Sequence, residues 1–171
     1  MDNVYCCGRA VAIRSVSPSD ADAIAAIYNN YVLNTAISFE TEAVTAGEMR
    51  RRIEEISREY PYFVAESGGK VVGYCYAHEW KSRPAYYRTW ETTVYIDEQA
   101  RHLHLGRRLM DRLIDECRGR ECRALIACIT GDNVASIAFH RGLGFEQVSL
   151  FKEVGFKFGR YLDVVDYELL L

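Results

Sequence analysis

The stretch from Glu91 to Ile114 reads Glu-Thr-Thr-Val-Tyr-Ile, then Asp-Glu-Gln-Ala-Arg-His-Leu-His-Leu-Gly, then Arg-Arg-Leu-Met-Asp-Arg-Leu-Ile. Its first six residues are rich in β-branched and aromatic types, which predicts a strand. Its last eight residues carry apolar side chains at helical spacing, at positions 109, 110, 113 and 114. The stretch therefore predicts a strand, a tight loop and a helix in that order.

The loop in this stretch is basic and leads directly into the helix. Backbone N–H groups at a helix start lack intrahelical partners, and the helix dipole adds partial positive charge there. Five basic side chains share the segment: Arg101, His102, His104, Arg107 and Arg108. We interpret the loop as a site for a multiply charged phosphate group. The alternative interpretation is an ordinary solvated basic surface.

The same loop resembles a known family. The segment Arg101-x-x-His104-x-Gly106 resembles the phosphate-binding loop of the GNAT superfamily of acetyl-CoA-dependent N-acetyltransferases, whose pattern is Gln/Arg-x-x-Gly-x-Gly/Ala. His102 and His104 stand where this loop commonly has glycine, and a β-carbon disfavours positive φ.

The resemblance extends from Ile13 to Leu170. Asn133-x-x-Ser136-Ile137-x-Phe139-His140-x-x-Leu143-Gly144-Phe145 is similar to the second GNAT signature. Four other segments resemble motifs of a narrower group, the phosphinothricin and methionine sulfone/sulfoximine acetyltransferases. They are Ser38-Phe39-Glu40, Trp80-Lys81-Ser82-Arg83, Glu91-Thr-Thr-Val-Tyr95 and Val154-Gly-Phe-Lys-Phe-Gly-Arg-Tyr-Leu-Asp163.

Length and composition set the broad class. The chain has 171 residues, 49% of them hydrophobic, which predicts a single domain over residues 1–171. Residues 1–10 lack the apolar centre of a signal peptide and are expected to form an irregular tail. No apolar run is long enough to span a membrane, and a net charge of −3 argues against a nucleic-acid binder. We expect a cytoplasmic protein with a small-molecule partner, no nucleic acid and no membrane.

The cysteines are expected to be free. Six are present, none in a Cys-x-x-Cys pair, and several lie in apolar segments, so we expect buried thiols in a reducing compartment and no metal site. The adjacent Cys6 and Cys7 leave a metal or redox site as the alternative.

Local signals predict the element order β-α-α-β-β-β-α-β-α-β-β. The capping box Thr45-x-x-Glu48 begins the second helix, with residues 50–52 on a solvated face. Gly68-Gly69 joins a hairpin, and the segment from Gly155 to Leu162 is predicted to be a loop between the last two strands. Periodicity alone indicates an α/β or α+β domain. The resemblance implies the mixed α/β GNAT fold, with a central, mostly antiparallel sheet flanked by about four helices.

The resemblance also implies how acetyl-CoA is held. Its arm would run beside the central strand and bond the main chain of Val94 and Ile96, with the Val94 N–H as the oxyanion donor. Asn133 would contact the cofactor, or it is simply the N-cap of its helix. The residues expected to bind acetyl-CoA are Val94, Tyr95, Ile96, Arg101, His102, Leu103, His104, Leu105, Gly106, Arg107, Asn133 and Ser136.

Two residues are candidate catalytic groups. Glu91 is the candidate general base, because a carboxylate on an apolar central strand is costly to bury without a function. Its alternative role is an ion pair with Arg88 or Arg83. The resemblance implies that His140 protonates the departing thiolate, and the alternative is a packed or surface histidine.

The substrate would be recognised beside the base. A cation at position 81 or 83 suits an α-carboxylate. The residues expected to bind substrate are Phe39, Lys81, Ser82, Arg83, Glu91, Thr92 and Thr93.

The implied activity is acetyl-CoA-dependent N-acetylation of the α-amino group of phosphinothricin, methionine sulfoximine or methionine sulfone, by direct transfer in a ternary complex. The alternatives are another amine (a polyamine, a free amino acid or a peptide N-terminus) and a non-catalytic acyl-CoA-binding sensor. The resemblance also implies a homodimer.

Overall fold

The computed structural model describes residues 5–6, 9–101 and 103–171. Its helices are α1 Ala21–Asn34, α2 Ala46–Glu59, α3 Leu105–Gly119 and α4 Val134–Gly142. Its strands are β1 Tyr5–Cys6, β2 Arg9–Ser15, β3 Tyr62–Ser67, β4 Lys70–Glu79, β5 Thr89–Ile96, β6 Ala124–Thr130, β7 Glu146–Gln147, β8 Phe151–Lys157 and β9 Arg160–Leu170. Among the helices of these residues, none is both long and apolar enough to cross a bilayer.

The strands form one sheet in the order β1-β2-β3-β4-β5-β6-β9-β7, with β8 also paired to β9. The pairs are antiparallel except β5 with β6, which run parallel. That parallel pair extends only from Thr89↔Ala124 to Glu91↔Ile126. Both strands continue beyond it, β5 to Ile96 and β6 to Thr130, without pairing to each other. The sheet is therefore split at its centre, immediately after Glu91.

Helices cover both faces of the sheet. On one face, α3 places Leu109, Met110 and Leu113 against inward side chains such as Cys75 and Leu125, and all five are fully buried. On the other face, α1 and α2 pack over a second cluster that includes Ile24, Ile53 and Tyr74. The alternation of strand side chains between the two faces gives the sheet two apolar layers.

Local capping agrees with the predicted helix starts. The Thr45 hydroxyl accepts a hydrogen bond from the Glu48 N–H at 3.1 Å and begins α2. The Asp20 carboxylate binds Arg14 through two nitrogen–oxygen contacts of 2.8 Å and also accepts from the Ser17 N–H. This partly buried ion pair connects the start of α1 to β2, and the arginine lowers the pKa of Asp20.

The mixed α/β architecture with four helices and a mostly antiparallel sheet is confirmed, and four local predictions were wrong. Tyr5–Cys6 forms a strand with Arg9–Ala10 inside the segment expected to be irregular. Most of Gly155–Leu162 is strand, with its turn at Phe158-Gly159. Arg52 is not merely solvated, because it binds Glu40 at 2.6 Å. Cys128 is exposed, whereas Cys75, Cys117 and Cys122 are buried free thiols. Cys6 is also buried, and Cys7 lies outside the described residues.

Candidate active site

A cleft of about 290 Å³ occupies the split between β5 and β6. Its walls come from both diverging strands, the segment after α1, and the first turns of α4. The lining residues that matter below are Tyr28, Ser38, Phe39, Tyr76, His78, Glu91, Thr92, Thr93, Val94, Tyr95, Cys128, Asn133, Ser136 and His140. The structure therefore brings together nine of the predicted site residues: Phe39, Glu91, Thr92, Thr93, Val94, Tyr95, Asn133, Ser136 and His140.

Glu91 lies at the apex of the split, half-buried. Burial raises the pKa of its carboxyl, His78 lowers it, and Asp166 raises it. The expected alternative, an ion pair with Arg88 or Arg83, was wrong for Arg88, which binds Glu121 at 2.9 Å. The partner that Glu91 does have is His78, whose Nε2 lies 3.9 Å from its Oε1. A carboxylate with a raised pKa is a stronger proton acceptor than an ordinary glutamate.

His140 is buried on α4 between the rings of Phe139 and Phe145. Its Nδ1 lies 2.9 Å from the Ser136 carbonyl oxygen, which can only accept a hydrogen bond. Nδ1 therefore carries the proton, and Nε2 is free to accept one. Burial lowers the pKa of His140, which keeps the imidazole neutral at neutral pH. To act as an acid, His140 must first gain a proton at Nε2.

The edge of β5 beyond Glu91 is open toward β6. Cys75↔Val94 and Gly73↔Ile96 pair on the β4 side only, so main-chain groups on the other edge have no strand partner. Thr92 donates its hydroxyl to the Ile126 carbonyl at 3.3 Å and thereby joins the two strands at the point where they separate. The open edge agrees with the expected path of an extended ligand arm, because an unpaired edge can bond an added strand.

The residue just before α3 has a left-handed backbone conformation. His104 adopts φ 55° and ψ 18°, the left-handed conformation in which glycine is favoured. Gly106 packs against the Phe139 ring, where a β-carbon would lie 3.4 Å from the ring. Nη1 of Arg108 is buried without a hydrogen-bond partner. His102 lies outside the described residues.

The predicted arginines of the loop have protein partners. Arg101 lies over the Tyr31 ring and 3.5 Å from Glu98. Arg107 binds Asp111 and donates to the Gly142 carbonyl, both at 2.9 Å, which links α3 to α4. Leu103 is partly buried against the core and Leu105 is fully buried, so their side chains serve packing. The Ile96 carbonyl accepts a hydrogen bond of 2.5 Å from the hydroxyl of Tyr31, which is itself buried.

The residues from Lys81 to Arg83 lie outside the cleft. With Trp80 and Tyr86 they line a separate hollow, and the Lys81 ammonium stands 3.8 Å from the centre of the Trp80 ring. A role for these three residues in substrate binding stays a prediction.

Sequence reasoning missed several residues that shape the site. The Tyr28 hydroxyl forms a hydrogen bond of 2.8 Å with the Ser38 hydroxyl and lies 3.0 Å from the Glu40 carboxylate, to which it can donate. Lys157, buried on β8, donates to the carbonyls of Val32 and Ser38 at 2.7 and 2.6 Å. The helical spacing of Tyr28 was visible in the sequence, but the contacts of Lys157 join positions more than 100 residues apart.

The chain matches the family model described as an acetyltransferase (GNAT) domain, over residues 13–165. This chain belongs to the GNAT acetyltransferase family. It is 42% identical over 159 residues to a phosphinothricin N-acetyltransferase of Alcaligenes faecalis, covering 91% of this chain and 80% of the relative. It is 36% identical to an L-methionine sulfoximine/L-methionine sulfone acetyltransferase of Salmonella typhimurium, covering 94% and 95% of the two chains.

A solved structure extends the comparison to the cofactor. A GNAT superfamily phosphinothricin acetyltransferase from Sinorhizobium meliloti, in complex with acetyl-CoA, superposes with a TM-score of 0.91 at 36% identity. The match covers 94% of this chain and 88% of that one. This GNAT acetyltransferase uses acetyl-CoA, which supplies an activated acetyl thioester when bound. The unpartnered Nη1 of Arg108, the left-handed His104 and the open edge of β5 fit that ligand.

No cluster of three or more His, Cys, Asp or Glu side chains that could hold a metal is present in the described residues.

Proposed function

We propose that this acetyltransferase moves an acetyl group from acetyl-CoA to the α-amino group of a small amino-acid-like substrate of the phosphinothricin, methionine sulfoximine or methionine sulfone type. The observation that carries the proposal is Glu91, half-buried at the apex of the split, with the open edge of β5 beginning directly after it. The named activities of the relatives support the substrate class. The cleft volume of about 290 Å³ suits a small substrate.

Glu91 is the general base of this proposal. An amine is an ammonium ion at neutral pH and must lose a proton before it can attack a thioester. Glu91 removes this proton directly or through water. The Val94 N–H donates to the acetyl oxygen as negative charge develops there. The loop at the start of α3 and the edge of β5 hold acetyl-CoA. The amine reacts with it directly, in one ternary complex.

His140 handles a second proton in this proposal. Because its Nδ1 is committed to the Ser136 carbonyl, it accepts a proton from the reacting amine at Nε2 and returns it to the departing sulfur. The lowered pKa of His140 makes its imidazolium a strong donor for that return step. Lys81 or Arg83 is the proposed partner of the substrate carboxylate.

A polyamine is a second candidate substrate. Among the described cleft-lining residues, Glu91 is the carboxylate and no lysine or arginine is present. Such a wall favours a substrate with an additional positive charge over one with an additional carboxylate.

A homodimer and a cytoplasmic location belong to the same proposal. The hairpin of β8 and β9 exposes five large apolar side chains, Phe151, Val154, Phe156, Phe158 and Tyr161. A patch of this kind on a small protein marks an interaction surface. The free thiols of Cys75, Cys117, Cys122 and Cys128 support a reducing compartment.

The test is a steady-state thiol-release assay with acetyl-CoA and a panel of amines. The panel contains phosphinothricin, methionine sulfoximine, methionine sulfone, the common amino acids, spermidine and a short peptide. We expect turnover of the first three and a loss of about 10²-fold or more in kcat/KM for Glu91→Gln. Glu79→Gln, which removes an exposed carboxylate from the same sheet region, is the matched control and should keep wild-type rates.

The pH profile gives the assay a second readout. Because the pKa of Glu91 is raised, the active carboxylate is lost at a higher pH than for an ordinary glutamate as the solution is acidified. The wild-type kcat/KM should fall on the acidic side, and Glu91→Gln should lose this dependence. Turnover of spermidine alone would favour the second candidate. Acetyl-CoA binding without turnover of any amine would contradict the proposed substrates.

A further inference from the structure

His78 and Glu91 face each other across the β4–β5 pair. They are register partners in the antiparallel ladder, and Nε2 of His78 lies 3.9 Å from Oε1 of Glu91. The exposed fractions of the two side chains are 32% and 29%, so both line the cleft and His78 also reaches solvent. His78 lies on the side of Glu91 that is away from the open edge of β5. The imidazole therefore sits beside the proposed base, on the side of β4, and both side chains reach solvent.

The hydrogen bonding of His78 orients its free nitrogen toward Glu91. Nδ1 lies 2.8 Å from the Glu79 carbonyl oxygen, which can only accept. Nδ1 therefore carries the proton of the neutral ring, and Nε2 presents a lone pair to the Glu91 carboxyl. If Nε2 gains a proton, both N–H groups of the imidazolium face an acceptor, the Glu79 carbonyl on one side and the Glu91 carboxylate on the other.

Three other titratable side chains, Asp166, Cys128 and Tyr76, lie around this pair. The charge of Asp166 on β9 raises the pKa of Glu91, whereas the charge of His78 lowers it. Cys128 of β6 stays a neutral thiol although it is exposed to the cleft, because partial desolvation by the surrounding protein and the two carboxylates raise its pKa to about 12. The Tyr76 ring lies tilted against the His78 ring, with 5.7 Å between the ring centres, and burial raises the pKa of the Tyr76 phenol. The imidazole is thus the group of this set that can carry positive charge.

We infer that His78 is a positioning residue that receives the substrate proton from Glu91 and passes it to solvent. This inference rests on the proposed role of Glu91 as the base. An ammonium substrate and a thioester yield an amide, a thiol and one proton. In this sequence the ammonium N–H bond breaks and an O–H bond forms on Glu91. Because the 3.9 Å between Oε1 and Nε2 exceeds the length of a hydrogen bond, a bridging water takes the proton from Glu91 and gives one to Nε2 of His78. The imidazolium releases that proton to water, which returns both groups to their starting states.

The relay predicts a rate loss that a small base can repair. His78→Gln keeps a polar group near the position of Nε2 but cannot carry a proton, and His78→Ala opens space beside Glu91. We expect each to lower kcat by about tenfold, less than the loss expected when the base itself is removed. Added imidazole should restore most of the His78→Ala rate and should leave the wild type and Glu79→Gln unchanged. A side chain that only packs would show no such rescue.

A readout that needs no turnover accompanies the kinetics. The Glu91 carboxyl carbon can be followed by NMR as the pH is changed. Because His78 lowers the pKa of Glu91, His78→Gln should move this titration to higher pH. An unchanged Glu91 titration would overturn the inference even if the substrate panel finds no active amine.

The kinetic outcomes separate the relay from the proposed base. If Glu91→Gln is inactive while both His78 variants keep the wild-type rate at every pH, the relay is wrong and the base stands. If Glu91→Gln keeps full activity, the proposed base is wrong and the relay is wrong with it. A rate loss in both His78 variants without imidazole rescue and without a shift of the Glu91 titration would assign His78 a packing role and overturn the relay.

Discussion

His104 holds a backbone conformation that its β-carbon makes costly. A non-glycine residue in the left-handed region pays roughly 1–2 kcal/mol, and His104 has φ 55° at the residue just before α3. The sequence showed that glycine was missing from this loop position. It did not show that the chain keeps the conformation expected of a glycine there. The amide groups of the loop can therefore still point toward a phosphate.

Replacing His104 by glycine tests whether the strain or the imidazole matters. His104→Gly should raise the free energy of unfolding by up to about 1 kcal/mol. Relief of the backbone strain stabilises the fold, and the extra entropy that glycine gives the unfolded chain offsets only part of this gain. The dissociation constant of acetyl-CoA should stay within about threefold, since the loop conformation does not change. Thermal unfolding and isothermal titration calorimetry measure the two effects.

Glu121→Gly is the matched control for His104→Gly. Glu121 also has positive φ, at 60°, but it lies at the far end of α3. Its stability should change in the same direction, with no effect on cofactor binding. A tenfold weaker affinity for acetyl-CoA in His104→Gly alone would show that the imidazole contacts the ligand.

The site wall formed by residues after α1 depends on contacts between distant elements. Lys157 of β8 holds the Ser38 carbonyl, and the Phe39 ring lies where a β-carbon at Gly155 would overlap it. The Thr130 hydroxyl at the end of β6 donates to the Ala36 carbonyl at 2.7 Å. The short segment carrying Phe39 is therefore positioned by two other elements, although it has no regular structure of its own.

Lys157→Met should loosen this wall. The substitution leaves the carbonyls of Val32 and Ser38 without their donor, which costs about 2–3 kcal/mol of stability. The KM for the amine should rise more than kcat falls, because Phe39 lines the cleft but is not proposed to react. Denaturant unfolding and steady-state kinetics measure these changes.

Lys152→Met is the control at the same scale. Lys152 lies on β8 like Lys157 and binds Asp163 of β9 at 2.7 Å, but the Lys152 side chain is 70% exposed. A surface pair of this kind contributes little, so stability and KM should both stay near wild type. Equal effects of the two substitutions would contradict the proposed role of Lys157.

At the scale of the whole molecule, the hairpin of β8 and β9 leaves an apolar surface uncovered. Val154 and Phe156 alternate along one face of β8, and the Phe156 ring lies 5.0 Å from that of Tyr161. The chain thus has a buried apolar layer on each face of its sheet and a third apolar surface that is exposed. We expect this surface to lie between two copies of the chain.

Charge placed on this surface should separate the copies. The double variant Val154→Glu with Phe156→Glu should sediment as a monomer where the wild type sediments as a dimer, because association would bury unpaired carboxylates. Val134→Glu, at an equally exposed apolar position at the start of α4, should leave the mass unchanged. A monomeric wild type at all concentrations in analytical ultracentrifugation would contradict the homodimer.

Much of this protein could be predicted from local patterns. Capping at Thr45, the Gly68-Gly69 turn and the apolar spacing of α3 are short-range signals, so the order of the helices and of the longer strands was correct. The predicted order did not contain the two-residue strands β1 and β7. Glu91 stood out because a carboxylate interrupts an apolar strand, and the motif around His140 fixed its helix. These features depend on residues within a few positions of each other.

Only the tertiary structure decided which side chains meet. Strand register placed His78 opposite Glu91, and the end of β5–β6 pairing opened the cleft directly after that glutamate. The packing of β8 against the residues after α1 buried Lys157, and the loop after Trp80 left Lys81 outside the cleft. Register, strand divergence and long-range packing arise from the balance of the whole core, which no local stretch of sequence contains.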